Sequence, residues 1–136
     1  MIKPVLIVFC LFASYFVIFT LIGFGEWGRA LMTGILGSLV FSMTLFAASF
    51  VSQGRPWRAF WIANIALTLF FGGLELYGAL TLTDSPVTRF GSRLVIDGRL
   101  TPAFFASISF DVGICILSNL LGFYLARHLI KRFNLE

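Results

Sequence analysis

Residues 70–77 (FFGGLELY) and 108–114 (ISFDVGI) decide how this chain folds. Each stretch lies within a long apolar run, and each carries one carboxylate, Glu75 or Asp111. A carboxylate at the centre of a membrane helix costs about 2.5 to 3.5 kcal/mol on insertion scales, so it usually faces a bundle interior, a cavity or a partner. Glu75 and Asp111 are therefore the first candidates for a functional site.

The rest of the chain has the composition of an integral membrane protein. Of its 136 residues, 59% are hydrophobic and 12% are charged, whereas about a quarter of the residues in a soluble domain are charged. Apolar runs of about 20 residues favour membrane-spanning helices, because a transmembrane barrel would alternate apolar and polar residues. We predict an all-α fold, a four-helix transmembrane bundle that forms a single domain.

The predicted helices cover residues 5–24, 30–51, 57–82 and 102–126. Pro56 and Pro102 suit the first turns of helices, and Thr101 is the predicted N-cap of the fourth helix. The outer loop, residues 83–101, contains Asp97-Gly98, which indicates a type I′ turn and a short β-hairpin lying on the membrane surface. Residues 127–136 form a tail whose pattern favours an amphipathic extension of the last helix.

The basic residues predict the orientation of the chain. Six of the ten lie at the end that holds both termini: Lys3, Arg55, Arg58, Arg127, Lys131 and Arg132. By the positive-inside rule both termini are cytoplasmic, in what we expect to be a bacterial inner membrane. This charge is typical of topology and contact with the lipid bilayer, not of a nucleic-acid partner. It also suits docking of an acidic cytosolic protein, and both interpretations stay open.

The polar residues of the last two helices fall at matching depths. At about 1.5 Å per residue, Glu75 and Asp111 both lie about 10 to 13 Å below the outer boundary. Asn64 and Asn119 repeat this relation near the inner boundary, and Ser118 shares a helix face with Asp111. No Lys or Arg lies inside an apolar run, so we expect one or both acids to be protonated at neutral pH, with a proton shared between them as one form of this. They are hydrogen-bonding residues between helices, a proton or cation site, or the contact for a basic group on another membrane subunit.

A ladder of small residues runs along the second helix at four-residue spacing: Ala30, Gly34, Ser38 and Ser42. Small side chains let membrane helices approach closely, and Gly122 has the same property on the fourth helix. The spacing fits packing within one chain and packing between copies equally well. We expect a homo-oligomer.

Several chemical functions are disfavoured by what the sequence lacks. The single histidine, His128, cannot supply two axial haem ligands, and Cys10 and Cys115 form no CxxC motif. No nucleophile–base pair or metal cluster is visible. We therefore expect no enzymatic activity, no cofactor and no metal.

The layout of four spans in a short chain resembles that of several small membrane families. Small multidrug exporters share it, but their working glutamate lies in the first helix, and residues 5–24 contain no charge. Dual-topology fluoride channels have a glycine-arginine segment similar to residues 25–29, but their Thr/Ser-Phe pore segment is missing here. The layout is also similar to membrane subunits of two-gene phage-defence systems such as the Kiwa type, which work with a cytosolic partner.

Two functional hypotheses follow from these observations. The first is a non-enzymatic membrane protein that self-associates and acts as a sensor or anchor for a partner protein. The second is a proton- or cation-conducting channel or small coupled transporter that uses Glu75 and Asp111.

Overall fold

A computed structural model describes residues 2–23, 26–86 and 88–135 of the chain. Its helices are α1 (Ile2–Ile22), α2 (Trp27–Val51), α3 (Pro56–Leu80) and α4 (Pro102–Arg132), and its strands are β1 (Thr88–Arg89), β2 (Ser92–Arg93), β3 (Val95–Ile96) and β4 (Arg99–Leu100). Within this described part, four helices are long and apolar enough to cross a membrane. The prediction of a mainly helical chain with four apolar helices is confirmed. Their arrangement as a bundle within a bilayer stays a prediction.

The ends of the helices differ from the predicted boundaries by a few residues. Helix α1 begins at Ile2 and so includes Pro4, which is tolerated in a first turn because its missing N–H would have no partner there. Helix α4 continues six residues past residue 126, as far as Arg132, in the direction that the pattern of residues 127–136 favours. No glycine or proline interrupts this extension, and its terminal cations suit the negative end of the helix dipole. Phe24, the last residue of the predicted first helix, lies outside the described residues.

The first of two compact units contains Met1–Asn64 and Cys115–Glu136. Here α1 runs antiparallel to α4, because Ser14 contacts Ser118, while Leu11 lies against Gly122 further along α4. A Cβ atom at Gly122 would lie 2.7 Å from the Leu11 Cα. The two backbones approach this closely only because position 122 has no side chain.

The second unit, Ile65–Ile114, contains the outer parts of α3 and α4 and the loop between them. This loop forms two antiparallel strand pairs, β1 with β2 and β3 with β4. The turn of the second pair is at Asp97-Gly98, where both residues have positive φ (49° and 71°). The first pair turns at Phe90-Gly91, also with positive φ at both residues (52° and 77°). Location of the loop on a membrane surface stays a prediction.

The second strand pair is anchored to the adjoining helices of its own unit. Val95 is buried with Ala79 and Phe104 in a small apolar cluster. The Thr101 hydroxyl lies within hydrogen-bonding distance of the carbonyl oxygens of Arg93 (2.6 Å) and Leu94 (3.1 Å). Thr101 therefore precedes α4 as predicted, but its hydroxyl bonds to the loop instead of capping the helix.

Candidate functional site

Arg89 joins Asp111 and Ser107 in the second unit. Arg89, at the end of β1, donates two hydrogen bonds to the Asp111 carboxylate, from Nη1 to Oδ2 (2.8 Å) and from Nη2 to Oδ1 (3.1 Å). The same Nη1 donates to the Ser107 hydroxyl at 2.5 Å. Ser107 and Asp111 are four residues apart on α4, so both side chains point to one face of the helix. The guanidinium fork matches this pair of acceptors, and a bidentate geometry is the strongest form of such a contact.

The tip of the β1–β2 hairpin holds Arg89 in this position. Phe90 adopts a left-handed backbone conformation, which is uncommon for a large side chain. Its ring packs edge-on against Phe110 of α4, with ring centroids 5.9 Å apart, and the Arg89 guanidinium lies 5.7 Å from the centre of the Phe90 ring. The hydrogen bond to Asp111 is the main cause that raises the pKa of Arg89, so the guanidinium stays charged.

This ion pair differs from the expectation that Asp111 and Glu75 have no basic neighbour and that one or both are therefore protonated. The expectation considered only cations inside the apolar runs, whereas Arg89 reaches Asp111 from the outer loop. Arg89 was not among the candidate residues from the sequence. Its signal there was weak, because Phe90-Gly91 is not one of the dipeptides typical of a hairpin turn.

Glu75 stands apart from this hydrogen-bonded group. It lies close enough to Asp111 and Arg89 to interact electrostatically with both. Within the part of the chain that the structure describes, however, Glu75 forms no hydrogen bond or ion pair, and its side chain is exposed. The structure therefore brings the two predicted acids together as electrostatic neighbours, but only Asp111 has a direct partner.

A second polar group, in the first unit, contains the two predicted asparagines. The Tyr15 hydroxyl donates to Asn119 Oδ1 at 2.6 Å, and Asn119 Nδ2 donates to Asn64 Oδ1 at 2.9 Å. Asn64 Nδ2 in turn donates to the Phe60 carbonyl oxygen at 3.0 Å. The chain of bonds links α1, α4 and α3, and its three polar side chains are buried. The sequence does not mark Tyr15 as a member of this group, because a tyrosine in an apolar run has no spacing that indicates its partner.

Ser118 lies beside this buried group. Its carbonyl oxygen accepts a hydrogen bond from the Ser14 hydroxyl at 2.8 Å, and Ser118 itself is completely buried. The predicted polar residues thus separate into two sets. Asn64, Asn119 and Ser118 lie in the packed first unit, and Glu75 and Asp111 lie in the more exposed second unit.

The small residues of α2 pack within the chain. Ala30, Gly34 and Ser38 are buried, and a Cβ atom at Gly34 would lie 3.2 Å from the Phe12 ring of α1. Ser42 is partly buried, and its hydroxyl oxygen has no hydrogen-bond partner among the described residues. At Gly34 this ladder is in contact with α1 within the chain. Packing of the ladder between copies stays a prediction.

Aromatic rings pack around Arg127, where the start of α3 meets the last turns of α4. Phe123 of α4 stacks on Phe60 of α3 with ring centroids 5.0 Å apart, and Trp57 packs edge-on against Phe123 at 5.2 Å. The Arg127 guanidinium lies 6.0 Å from the centre of the Phe123 ring, a cation–π distance. The rings hold the start of α3 beside the last turns of α4.

Among residues 2–23, 26–86 and 88–135, no three His, Cys, Asp or Glu side chains lie close enough to hold a metal ion. Comparison with protein-family models, curated proteins and solved structures finds no match for the chain.

Proposed function

We propose that this protein is a small non-enzymatic membrane protein, a bundle of four spanning helices that self-associates and acts as a sensor or anchor for a partner protein. The observation that carries the proposal lies on α3. Between Ile65 and Gly78 no side chain is buried, although this stretch includes Glu75. An acid on an uncovered part of a membrane helix is costly in lipid, and contact with another protein surface removes that cost.

A second copy is the surface that we propose for this part of α3. Phe71, Glu75 and Gly78 are spaced four and three residues apart, so they share one face of the helix. A Cβ atom at Gly78 would meet nothing within 4 Å, which leaves room for a neighbouring helix. Gly34 in the small-residue ladder of α2 is in contact with Phe12 of α1, so that position does not compete for this role.

Cysteine cross-linking tests the self-association. In a chain whose two native cysteines are replaced by alanine, Phe71→Cys and Gly78→Cys should each give disulfide-linked dimers in native membranes under mild oxidation. Met43→Cys is the control, because Met43 lies on α2 and is at least as exposed (73%) as Phe71 (48%). Absence of dimers at both α3 positions, or equal dimer yield at position 43, would contradict the proposal.

The role as an anchor is supported by the length of α4. Its 31 residues extend about 46 Å, whereas the hydrocarbon core of a bilayer is about 30 Å thick. The last two turns, with Lys131 and Arg132, therefore project beyond the apolar layer and offer a helical surface to partners outside it. If tagged protein leaves its native membranes in mild detergent as a bare monomer, the sensor or anchor function is wrong.

A second candidate function is conduction of protons or cations, and the exposed Glu75 carboxylate near Asp111 and Arg89 favours it. Asp111 is already in an ion pair, and Asn64 and Asn119 are buried and hydrogen-bonded. These contacts support a role in packing more strongly than a role in conduction. The test is flux of protons and monovalent cations into liposomes that contain wild type or the double variant Glu75→Gln, Asp111→Asn. Flux that is lost in the variant would favour transport. No flux in either leaves the acids as contacts for helices or partners.

A further inference from the structure

The cations at the termini end of the first unit have no acidic partner in the structure. We call this end the basic rim, and it consists of Lys3, Arg55, Arg58, Arg127, Lys131 and Arg132. No Asp or Glu occurs in residues 27–64 or 115–135, and the ion pairs among the described residues, Arg29–Glu26 and Arg89–Asp111, lie elsewhere. The rim is therefore a concentration of positive charge that the chain does not neutralise within its described residues.

Packing within the first unit brings these cations to one end of it. Helices α1 and α3 both run antiparallel to α4 here, and Leu11 contacts Gly122 while Trp57 contacts Phe123. The start of α1, the start of α3 and the end of α4 therefore lie at the same end. Most of the rim side chains are exposed, and Arg127 is partly buried beside its aromatic neighbour. Helix α4 continues nine residues beyond Phe123, about 13 Å at 1.5 Å per residue.

The aromatic residues between these cations indicate a lipid surface. Trp57 and Trp61 are exposed on the first turns of α3, and tryptophan is enriched where a membrane helix meets the headgroup layer. Phe60 and Phe123 behind them are buried, and the Phe123 ring contacts both Trp57 and Arg127. These buried rings hold the two side chains in place. At the level of the headgroups, cations can pair with the phosphate of an anionic phospholipid, and indole rings between them can lie at the boundary of its acyl chains.

An apolar groove opens at the same end of the unit. It has a volume of about 500 Å³ and is lined by α1 residues from Pro4 to Phe12 and by Ile35, Ser38 and Leu39 of α2. This volume is in the range of ligand pockets, which is about 300 to 1,000 Å³. The one polar side chain in its lining, Ser38, already donates its hydroxyl to the Ile35 carbonyl oxygen. The groove therefore suits a hydrocarbon chain and begins one residue from Lys3.

We propose that the basic rim binds anionic phospholipids, with phosphate groups at its cations and an acyl chain in the groove between α1 and α2. This inference rests on the proposed function, because it assumes that the four helices span a bilayer. It gives that function a ligand: the anchor or sensor responds to the content of anionic lipid in the leaflet at its termini.

The three tryptophans of the chain provide the test. Trp57 and Trp61 report on the rim, and Trp27 begins α2 at the opposite end. The full-length protein is placed in phosphatidylcholine vesicles that contain brominated phosphatidylglycerol or, in parallel, brominated phosphatidylcholine. Trp27→Phe isolates the signal of the rim, and Trp57→Phe with Trp61→Phe isolates the signal of the other end.

The measured quantity is quenching of tryptophan fluorescence. At low salt we expect brominated phosphatidylglycerol to show at least about threefold higher apparent affinity than brominated phosphatidylcholine at Trp57 and Trp61, with no such preference at Trp27. Salt at about 0.5 M should reduce the preference, because it screens exposed charges. The variant Arg55→Gln, Arg58→Gln, Arg127→Gln should abolish it. The matched control Arg93→Gln, Arg99→Gln removes two exposed loop cations and should leave it unchanged.

Three results would overturn the inference. The first is an equal preference for phosphatidylglycerol at both ends, and the second is a preference at the rim that survives in the triple variant. The third is a rim that has no lipid preference and instead binds polyglutamate, which would make it a docking site for an acidic protein. If neither end is quenched by any brominated lipid, the chain is not inserted and the proposed function itself fails. Loss of lipid preference with α3 cross-linking retained removes only the inference.

Discussion

The two polar groups of this molecule differ in what surrounds them. In the first unit, Tyr15, Asn119 and Asn64 are uncharged, buried and joined by hydrogen bonds. In the second unit, Arg89 and Asp111 are charged and keep roughly a third or more of their side-chain surface exposed, at 34% and 40%. Desolvation is much more costly for a charge than for an amide or hydroxyl. Neutral groups can therefore join helices inside a packed unit, whereas charged groups remain where the packing is open.

The largest effect should come from Asn119, which bonds to both of the other buried side chains. Asn119→Leu leaves the Tyr15 hydroxyl and Asn64 Oδ1 buried without partners, so we expect a loss of about 2 to 4 kcal/mol in the free energy of unfolding. Denaturant unfolding in mixed micelles measures it. The triple variant Tyr15→Phe, Asn64→Leu, Asn119→Leu should recover much of the loss, because no polar group is then left unpaired. Equal free energies of unfolding for the single and triple variants would show that unpaired buried groups do not cause the loss.

Two glycines of α4 test the difference in packing between the units. Gly122→Ala places a methyl group against the Leu11 backbone, and we expect it to lower the free energy of unfolding by about 1 to 3 kcal/mol. Gly113→Ala in the second unit is the matched control, because its new Cβ would meet nothing within 4 Å. There alanine should stabilise the helix by about 0.5 to 1 kcal/mol. Thermal unfolding of both variants compares them, and equal effects would remove the distinction between a close and an open part of α4.

A local effect is expected when the ion pair of the second unit is broken. Arg89→Gln removes the bidentate contact with Asp111, and because both side chains are partly exposed we expect at most about 1 kcal/mol in global stability. Amide hydrogen exchange should nevertheless rise in the β1–β2 hairpin, which loses its attachment to α4. Exchange in the β3–β4 hairpin, anchored by Val95, serves as the internal control. Equal exchange rates in wild type and variant would show that Phe90 alone holds the first hairpin.

The smallest effect on folding is expected at Glu75. The side chain is exposed and forms no hydrogen bond among the described residues, so Glu75→Gln should change the free energy of unfolding by less than about 0.5 kcal/mol. Unfolding in micelles, where no second copy is needed, measures this. A loss as large as that of Asn119→Leu would mean that Glu75 has a structural partner within the chain.

Much of the fold could be predicted from local sequence, and the candidate site only in part. Long apolar runs, Pro56 and Pro102 mark the helices, since length and first-turn proline depend on nearby residues alone. The depth of Asn64 and Asn119 followed from helical rise, and the two side chains are in direct contact. The partners of Tyr15 and Arg89 could not be predicted, because they lie 104 and 22 residues away along the chain. Such distances carry no periodic signal.

The amino-acid sequence alone is enough to establish the class of structure, four apolar helices. Their charged residues are confined to the helix ends and to one loop, except for Glu75 and Asp111. Hydrophobicity and helical period are properties of single segments, so they can be read without knowing how the segments meet. Only the tertiary structure shows that Arg89 pairs with Asp111 while Glu75 has no ion pair among the described residues, and that Gly34 of α2 lies against Phe12 of α1. These outcomes depend on which faces pack together, and packing is a property of several segments at once.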